Sequence, residues 1–139
     1  MTIPAPVRGA IAHFSYLWAD EAEQGTTEGR KDRPCVILAV LESNRVLLAP
    51  ITHSSPADPE AVLAIPPSLK AALGLDDAPA WIIATELNVS DWPGFDLRPV
   101  PGRAGVYYHA KMPPGLFAAL QQRFSTIRRA GKLRIVSRA

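Results

Sequence analysis

Proline constrains this chain more than any other residue type. There are 14 in 139 positions. Each fixes φ and removes a backbone donor, which argues against long uninterrupted helices and for a turn-rich, mostly β chain. The remaining composition, 47% hydrophobic and 20% charged, supplies a core for one compact domain spanning residues 1–139. A single cysteine, Cys35, excludes an internal disulfide and a cysteine-built zinc cage, since both need several sulfurs, and points to a reducing, cytoplasmic setting. The first residues lack an apolar leader-like core, and the longest apolar run, Cys35 to Leu41, is far too short to span a bilayer.

Charge is divided along the chain. Residues 1–96 hold all 13 carboxylates and 6 basic side chains, whereas residues 97–139 hold 9 basic side chains and no carboxylate. Such a split suits a dipolar surface that meets a polyanion, or a basic half that neutralises the acidic half within the fold or a dimer.

Local patterning gives the order of elements. From Val7 to Trp18 the chain alternates, with Ala10, Ala12, Phe14, Tyr16 and Trp18 on one face of a half-buried strand and Ile11, His13, Ser15 and Leu17 on the other. Ala19 to Asp32 is polar and acidic and reads as a flap. Arg33 to Leu41 and Arg45 to Ile51, separated by Glu42, Ser43 and Asn44, read as a hairpin at the centre of a sheet. A strand near Ala61 to Ile65 follows, then a short helix capped by Ser68 and ending at Gly74, then a strand from Trp81 to Glu86. Ser90 to Gly102 reads as irregular, with Trp92 either a plug over the core or a platform for a base. After a strand over Gly105 to Ala110, Pro113 and Pro114 open a helix whose Leu116, Phe117, Leu120, Phe124 and Ile127 form one stripe, closed by Gly131. The expected architecture is mainly β with short helices: a small SH3-like barrel or strongly bent sheet with a C-terminal amphipathic helix.

The hairpin carries the chemistry. In an antiparallel pair the start of one strand lies beside the end of the other, so Arg33 and Thr52 fall at one sheet edge despite nineteen intervening steps of chain. A guanidinium makes two parallel hydrogen bonds to a phosphate, and a neighbouring hydroxyl donates to or accepts from the same group. The bland reading pairs Arg33 with a flap carboxylate and spends Thr52 on a turn. A histidine is the side-chain type suited to proton transfer near neutral pH, which makes His53 the candidate general acid or base, although it needs a turn to converge with Thr52. Arg30, Lys31, Ser54 and Ser55 flank the pair as further candidate contacts to a phosphodiester. His13 and His109 lack metal-ligand spacing, Cys35 reads as a buried small hydrophobe, and no phosphate-cradling glycine pattern is present. Arg123 and Arg128 flank the helical stripe on opposite sides and Arg129 points away, which disfavours a groove-reading DNA helix.

These residues resemble the MazF/PemK family of toxins from type II toxin–antitoxin modules. The likeness runs from Gly9 and Ile11 through Arg33, Pro34, Val36, Ile37 and Leu38 to Pro50, Ile51 and Thr52, and on to the terminal helix after Pro113 and Pro114. The resemblance implies an SH3-like barrel of the CcdB/MazF type that forms a homodimer, cleaves single-stranded RNA without a metal or other cofactor, and is silenced by an antitoxin protein. It maps the family's arginine and threonine onto Arg33 and Thr52. The implied reaction is attack of the 2′-hydroxyl on the adjacent phosphorus, with Arg33 taking the developing charge, Thr52 orienting the phosphate, and His53 or one of Glu21, Glu23 and Glu28 handling a proton. The family's acidic residue after the first glycine is Ala10 here, and its aspartate, proline, glycine and glutamate loop is absent. Two alternatives stand beside this reading. One is a CcdB-like inhibitor that binds a protein such as gyrase, although this chain lacks a tryptophan near Ile135 to Ala139. The other is a degenerate member that only binds RNA or antitoxin.

Overall fold

The computed structural model describes residues 3–27, 32–71, 75–94 and 96–138. In chain order its strands are β1 (Ala10–Ser15), β2 (Asp32–Leu41), β3 (Arg45–Thr52), β4 (Val62–Ala64), β5 (Trp81–Ile83), β6 (Glu86–Asp91), β7 (Leu97–Arg98), β8 (Tyr108–Lys111) and β9 (Arg134–Ser137). The helices are α1 (Ala19–Glu23), α2 (Pro67–Lys70) and α3 (Pro114–Arg129).

The expected hairpin is the centre of the sheet. β2 and β3 run antiparallel, with Leu41 opposite Arg45 and Cys35 opposite Pro50. Ser43 and Asn44 adopt φ of 62° and 55°, the left-handed backbone that lets a tight turn follow the twist of its strands. Each long neighbour then divides its outer edge between two short strands. β3 pairs with β6 along Arg45–Leu48 and with β5 at Ile51 and Thr52. β1, which lies against β2, pairs with β8 along Ala10–Ala12 and with β7 at His13 and Phe14. Beyond these, β4 continues from β5 and β9 lies parallel to β6.

Two apolar clusters sit on opposite faces, following the period-2 alternation of the strands. Ile11, Val36, Ala49, Ile51, Ile82 and Leu87 pack beneath Leu120, Phe124 and Ile127 of α3. Ala12, Phe14, Tyr16, Cys35, Ile37 and Leu48 pack beneath Trp92 and Leu97. β1 is therefore buried along its whole length, not half-buried, because α3 covers one face and the Trp92 segment the other. Trp92 is a plug: its indole N–H donates to Pro4 O at 2.8 Å and its ring stacks on Tyr108.

Several expectations need correction. The pairings among the described residues do not close the sheet into a barrel. The flap is not wholly irregular, since Ala19–Glu23 form α1. The strand expected over Trp81 to Glu86 breaks into β5 and β6, which take different stretches of β3's edge, and the segment expected to be irregular contributes the end of β6 and β7. α2 begins at Pro67 behind Pro66, with Ser68 inside it and no side-chain cap; its expected end at Gly74 lies outside the described residues. α3 forms as expected and ends in a Schellman motif: Gly131, at φ 72°, donates to Arg128 O at 3.0 Å and Lys132 N to Ile127 O at 3.1 Å. It is followed by β9, so the helix is not the last element. No described helix is long and apolar enough to cross a membrane.

Candidate active site at the strand ends

β1 ends at Ser15, β2 begins at Asp32 and β3 ends at Thr52, and these three strand ends surround a cavity of about 470 Å³. Its walls include Arg33, Thr52, His53 and Ser54, together with His13, Trp18, Asp32, Pro34, Asp76 and His109. The strand ends open both sheet faces onto it. Alternation places Arg33 and Thr52 on the side of Cys35 and Leu48, and His13 and Pro34 on the side of Val36 and Ala49.

Arg33 is half-buried and lies with its guanidinium carbon 4.7 Å from the centre of the Trp18 ring, a cation–π contact that holds the charge against an apolar wall. Its Nη1 reaches Ile51 O only at 3.5 Å, the limit of a hydrogen bond, and its buried Nε has no partner among the described residues. Burial lowers its pKa, and Glu21, Glu86 and the Tyr16 and Cys35 side chains oppose that shift. The group remains cationic at any working pH. It is thus a desolvated cation with unspent donors at the rim of a cavity, and the pairing with a flap carboxylate anticipated by the bland reading is not what holds it among the described residues.

Thr52 is buried, and its Oγ1 accepts from Ser54 N at 3.1 Å. The turn uses one lone pair and leaves the hydroxyl hydrogen to point elsewhere. His53 is half-exposed: its Nδ1 lies 2.9 Å from Pro79 O and its Nε2 3.3 Å from Asp76 Oδ2, so both ring nitrogens face acceptors. Ser54 lines the cavity, whereas Ser55 borders a separate hollow beside Pro56 and Trp81. Arg30, Lys31 and Glu28 lie outside the described residues. Of the other flap carboxylates, Glu23 is taken up by Arg134 at 2.6 Å. Glu21 accepts from Trp18 N at 3.3 Å at the start of α1 and acts electrostatically on Arg33.

Sequence reasoning missed two features. Glu86 receives both Tyr16 Oη–H at 3.1 Å and Ala19 N–H at 2.9 Å on Oε1, and burial raises its pKa against those bonds. No local pattern marks it, because its partners come from the distant segment after β1 and the start of α1. His13 and His109, 96 positions apart, meet with Nδ1 and Nε2 at 3.2 Å. The alternation placed each on a strand, but nothing local says that β8 joins β1. Cys35 is fully buried, and burial pushes its thiol well above the ordinary range, in keeping with a packing role.

No protein-family model matches the chain, and no curated protein matches it. Solved structures do. The chain is similar to the MazE–MazF complex of Deinococcus radiodurans at 15% identity over 91% of this chain and 97% of that one, with a TM-score of 0.59. It is similar to a mycobacterial endoribonuclease in complex with its cognate antitoxin at 14% identity, 90% and 96% coverage and a TM-score of 0.59. The Mycobacterium tuberculosis toxin MazF-mt6 aligns at 18% identity over 86% and 96%, with a TM-score of 0.56. Nearly complete coverage in both directions establishes that this chain has the MazF-like fold.

Proposed function

We propose that residues 1–139 form a toxin of the toxin–antitoxin kind, a metal-independent endoribonuclease that cuts single-stranded RNA in the cytoplasm, works as a homodimer and is silenced by a cognate antitoxin. The observation that carries this reading is Arg33: a cation held half-buried against Trp18, with a buried Nε lacking a partner among the described residues, at the rim of a cavity that Thr52 also lines. A charge kept partly out of water and short of hydrogen bonds is preorganised for an incoming anion and interacts with it more strongly than in bulk solvent. The neighbours with this fold include a protein named as an endoribonuclease bound to its antitoxin, which supports the same activity and the same kind of partner here.

In the proposed reaction the RNA 2′-oxygen attacks phosphorus, the bond to the 5′-oxygen breaks, and the products are a 2′,3′-cyclic phosphate and a free 5′-hydroxyl. Arg33 takes the charge that builds on the non-bridging oxygens, and the Thr52 hydroxyl donates to the same phosphate. Ser54 at the cavity wall, with Arg30 and Lys31, contacts the flanking backbone.

The test is incubation of purified protein with mixed-sequence single-stranded RNA in EDTA, with product ends read by mass spectrometry. The expected result is cleavage to cyclic-phosphate ends by the wild type and a loss of about 10²- to 10³-fold in Arg33→Ala. A wild type as inert as Arg33→Ala on every RNA would end the reading.

A further inference from the structure

The three tryptophans divide by what they pack against. Trp18 and Trp92 both pack in the cluster around Phe14. Trp81 belongs to neither apolar cluster and is partly exposed, so core packing does not account for a side chain of that size. Its place is fixed by the ladder. It opens β5 directly opposite Thr52 of β3 on one side and Ala64 of β4 on the other. The next pair along, Ile51 and Ile82, packs on the α3 side. Directly opposed residues share a sheet face with their Cβ atoms about 5 Å apart, so Trp81 stands beside Thr52 on the face away from α3.

There Trp81 lines a hollow of about 590 Å³ with Ser55, Pro56, Ala64 and Arg123. The hollow adjoins the Arg33 cavity: Thr52, His53 and Ser54 border the cavity, and the next two residues, Ser55 and Pro56, border the hollow. Arg123 braces the far rim. Its Nη1 donates to Pro59 O at 3.0 Å and to Val62 O at 2.9 Å, which ties α3 to the edge strand β4. No carboxylate is among the described walls, and Glu60, 3.9 Å from the same nitrogen, is turned to solvent.

We propose that this hollow is the subsite for an unpaired base beside the scissile linkage, with the Trp81 ring as its stacking platform. The subsite rests on the ribonuclease reading above, which seats the phosphate at Arg33 and Thr52. Successive bases of a strand lie about 3.4 Å apart when stacked and further when splayed, so a base next to that phosphate reaches one ladder position along, about 5 Å away. An indole offers a flat π face that any base can stack on. Pro56 adds an apolar wall without a donor, and the Ser55 hydroxyl can meet a base edge. Stacking of this kind needs a base free of its pairing partner, which selects single strands. A side chain of a protein partner could also fill an apolar hollow, but only a nucleic-acid base is delivered to it by a phosphate seated on the neighbouring strand. Trp92, weighed from the sequence as a base platform, is 4% exposed and does not serve.

The experiment uses one labelled single-stranded RNA whose cut has been mapped, and a set in which an abasic ribose replaces each of the two nucleotides on either side of the cut in turn. Wild type, Trp81→Phe, Trp81→Leu and Arg33→Ala are compared in EDTA for kcat and KM, and separately for binding of the uncleavable all-2′-deoxy analogue. Leucine keeps an apolar side chain at a partly exposed position; should that variant fail to fold, Trp81→Val, favoured in a strand, takes its place. The expected result for Trp81→Leu is a rise in KM and a loss of analogue binding of about 5- to 150-fold. Its kcat stays within about threefold of wild type, and Trp81→Phe recovers most of the loss. One abasic position costs wild type about as much and costs Trp81→Leu nothing further, as two changes to one contact must. A folded Trp81→Leu that binds and cuts like wild type, that loses only kcat, or that stays as sensitive as wild type to every abasic position overturns the subsite. If Arg33→Ala is inert in the same assay, the ribonuclease reading still stands. A wild type that cuts none of the RNAs removes both.

Discussion

At the scale of single residues, buried charge is not confined to Arg33. Glu86 is the clearest case. Its native carboxyl binds a proton more tightly than the unfolded one, since burial outweighs the bonds from Tyr16 and Ala19. The stability that protonation brings is therefore present below the ordinary value of 4.5 and is lost as pH rises through the native value. Glu86→Gln presents one oxygen to the same two donors and does not titrate. Its melting temperature relative to wild type should rise between pH 4 and about pH 7 in paired thermal scans; a constant difference would contradict the assignment. Cys35, sealed beneath the Trp92 segment with its thiol shifted upward, should resist a thiol reagent at about pH 8 and react only after denaturant is added. At this scale hairpin geometry alone brings Arg33 and Thr52 together in the sequence reading, and both line one cavity in the fold. The sequence concealed Glu86 and the two histidines, because each is defined by a partner about 70 or more positions away.

At the scale of elements, α3 was legible to within a residue or two. Its stripe, its opening prolines and its closing Gly131 are all local signals. β9 was not legible, since its four residues carry no pattern of their own and acquire a strand conformation only by lying along β6. The strand is held by side chains as much as by its ladder. Arg138 donates to Ser15 O at 2.9 Å and to Asp96 Oδ1 at 2.7 Å, with the two side chains 7% and 18% exposed. Removing one member of such a buried pair strands the other. Arg138→Ala should cost about 3 kcal/mol in urea unfolding, whereas Arg128→Ala on the exposed side of α3 should cost less than about 0.5 kcal/mol. Equal, small losses would show that the tail is only loosely attached.

For the whole molecule, the division of charge along the sequence is partly neutralised within the fold. The described ion pairs of Arg98, Arg123, Arg134 and Arg138 all join the basic last third to carboxylates of the first 96 residues. Most are exposed and weakly stabilising, about 0.2 to 1 kcal/mol each. Raising salt from about 50 to 200 mM should therefore leave the melting temperature nearly unchanged but weaken binding of the all-deoxy RNA analogue by tenfold or more. Affinity indifferent to salt would contradict a phosphate-binding cavity. The sequence alone predicted mainly β architecture correctly but not the openness of the sheet, because closure depends on how the outer strands diverge.

That divergence also affects solution behaviour. β1 and β3 each have the outer flank divided between two short strands, and the described ladders terminate in β4, β7, β8 and β9, none longer than four residues. Stubs of that length, unaligned with one another, offer too few free amides to template a further copy. A chain with this edge pattern should stay free of fibrils at high concentration.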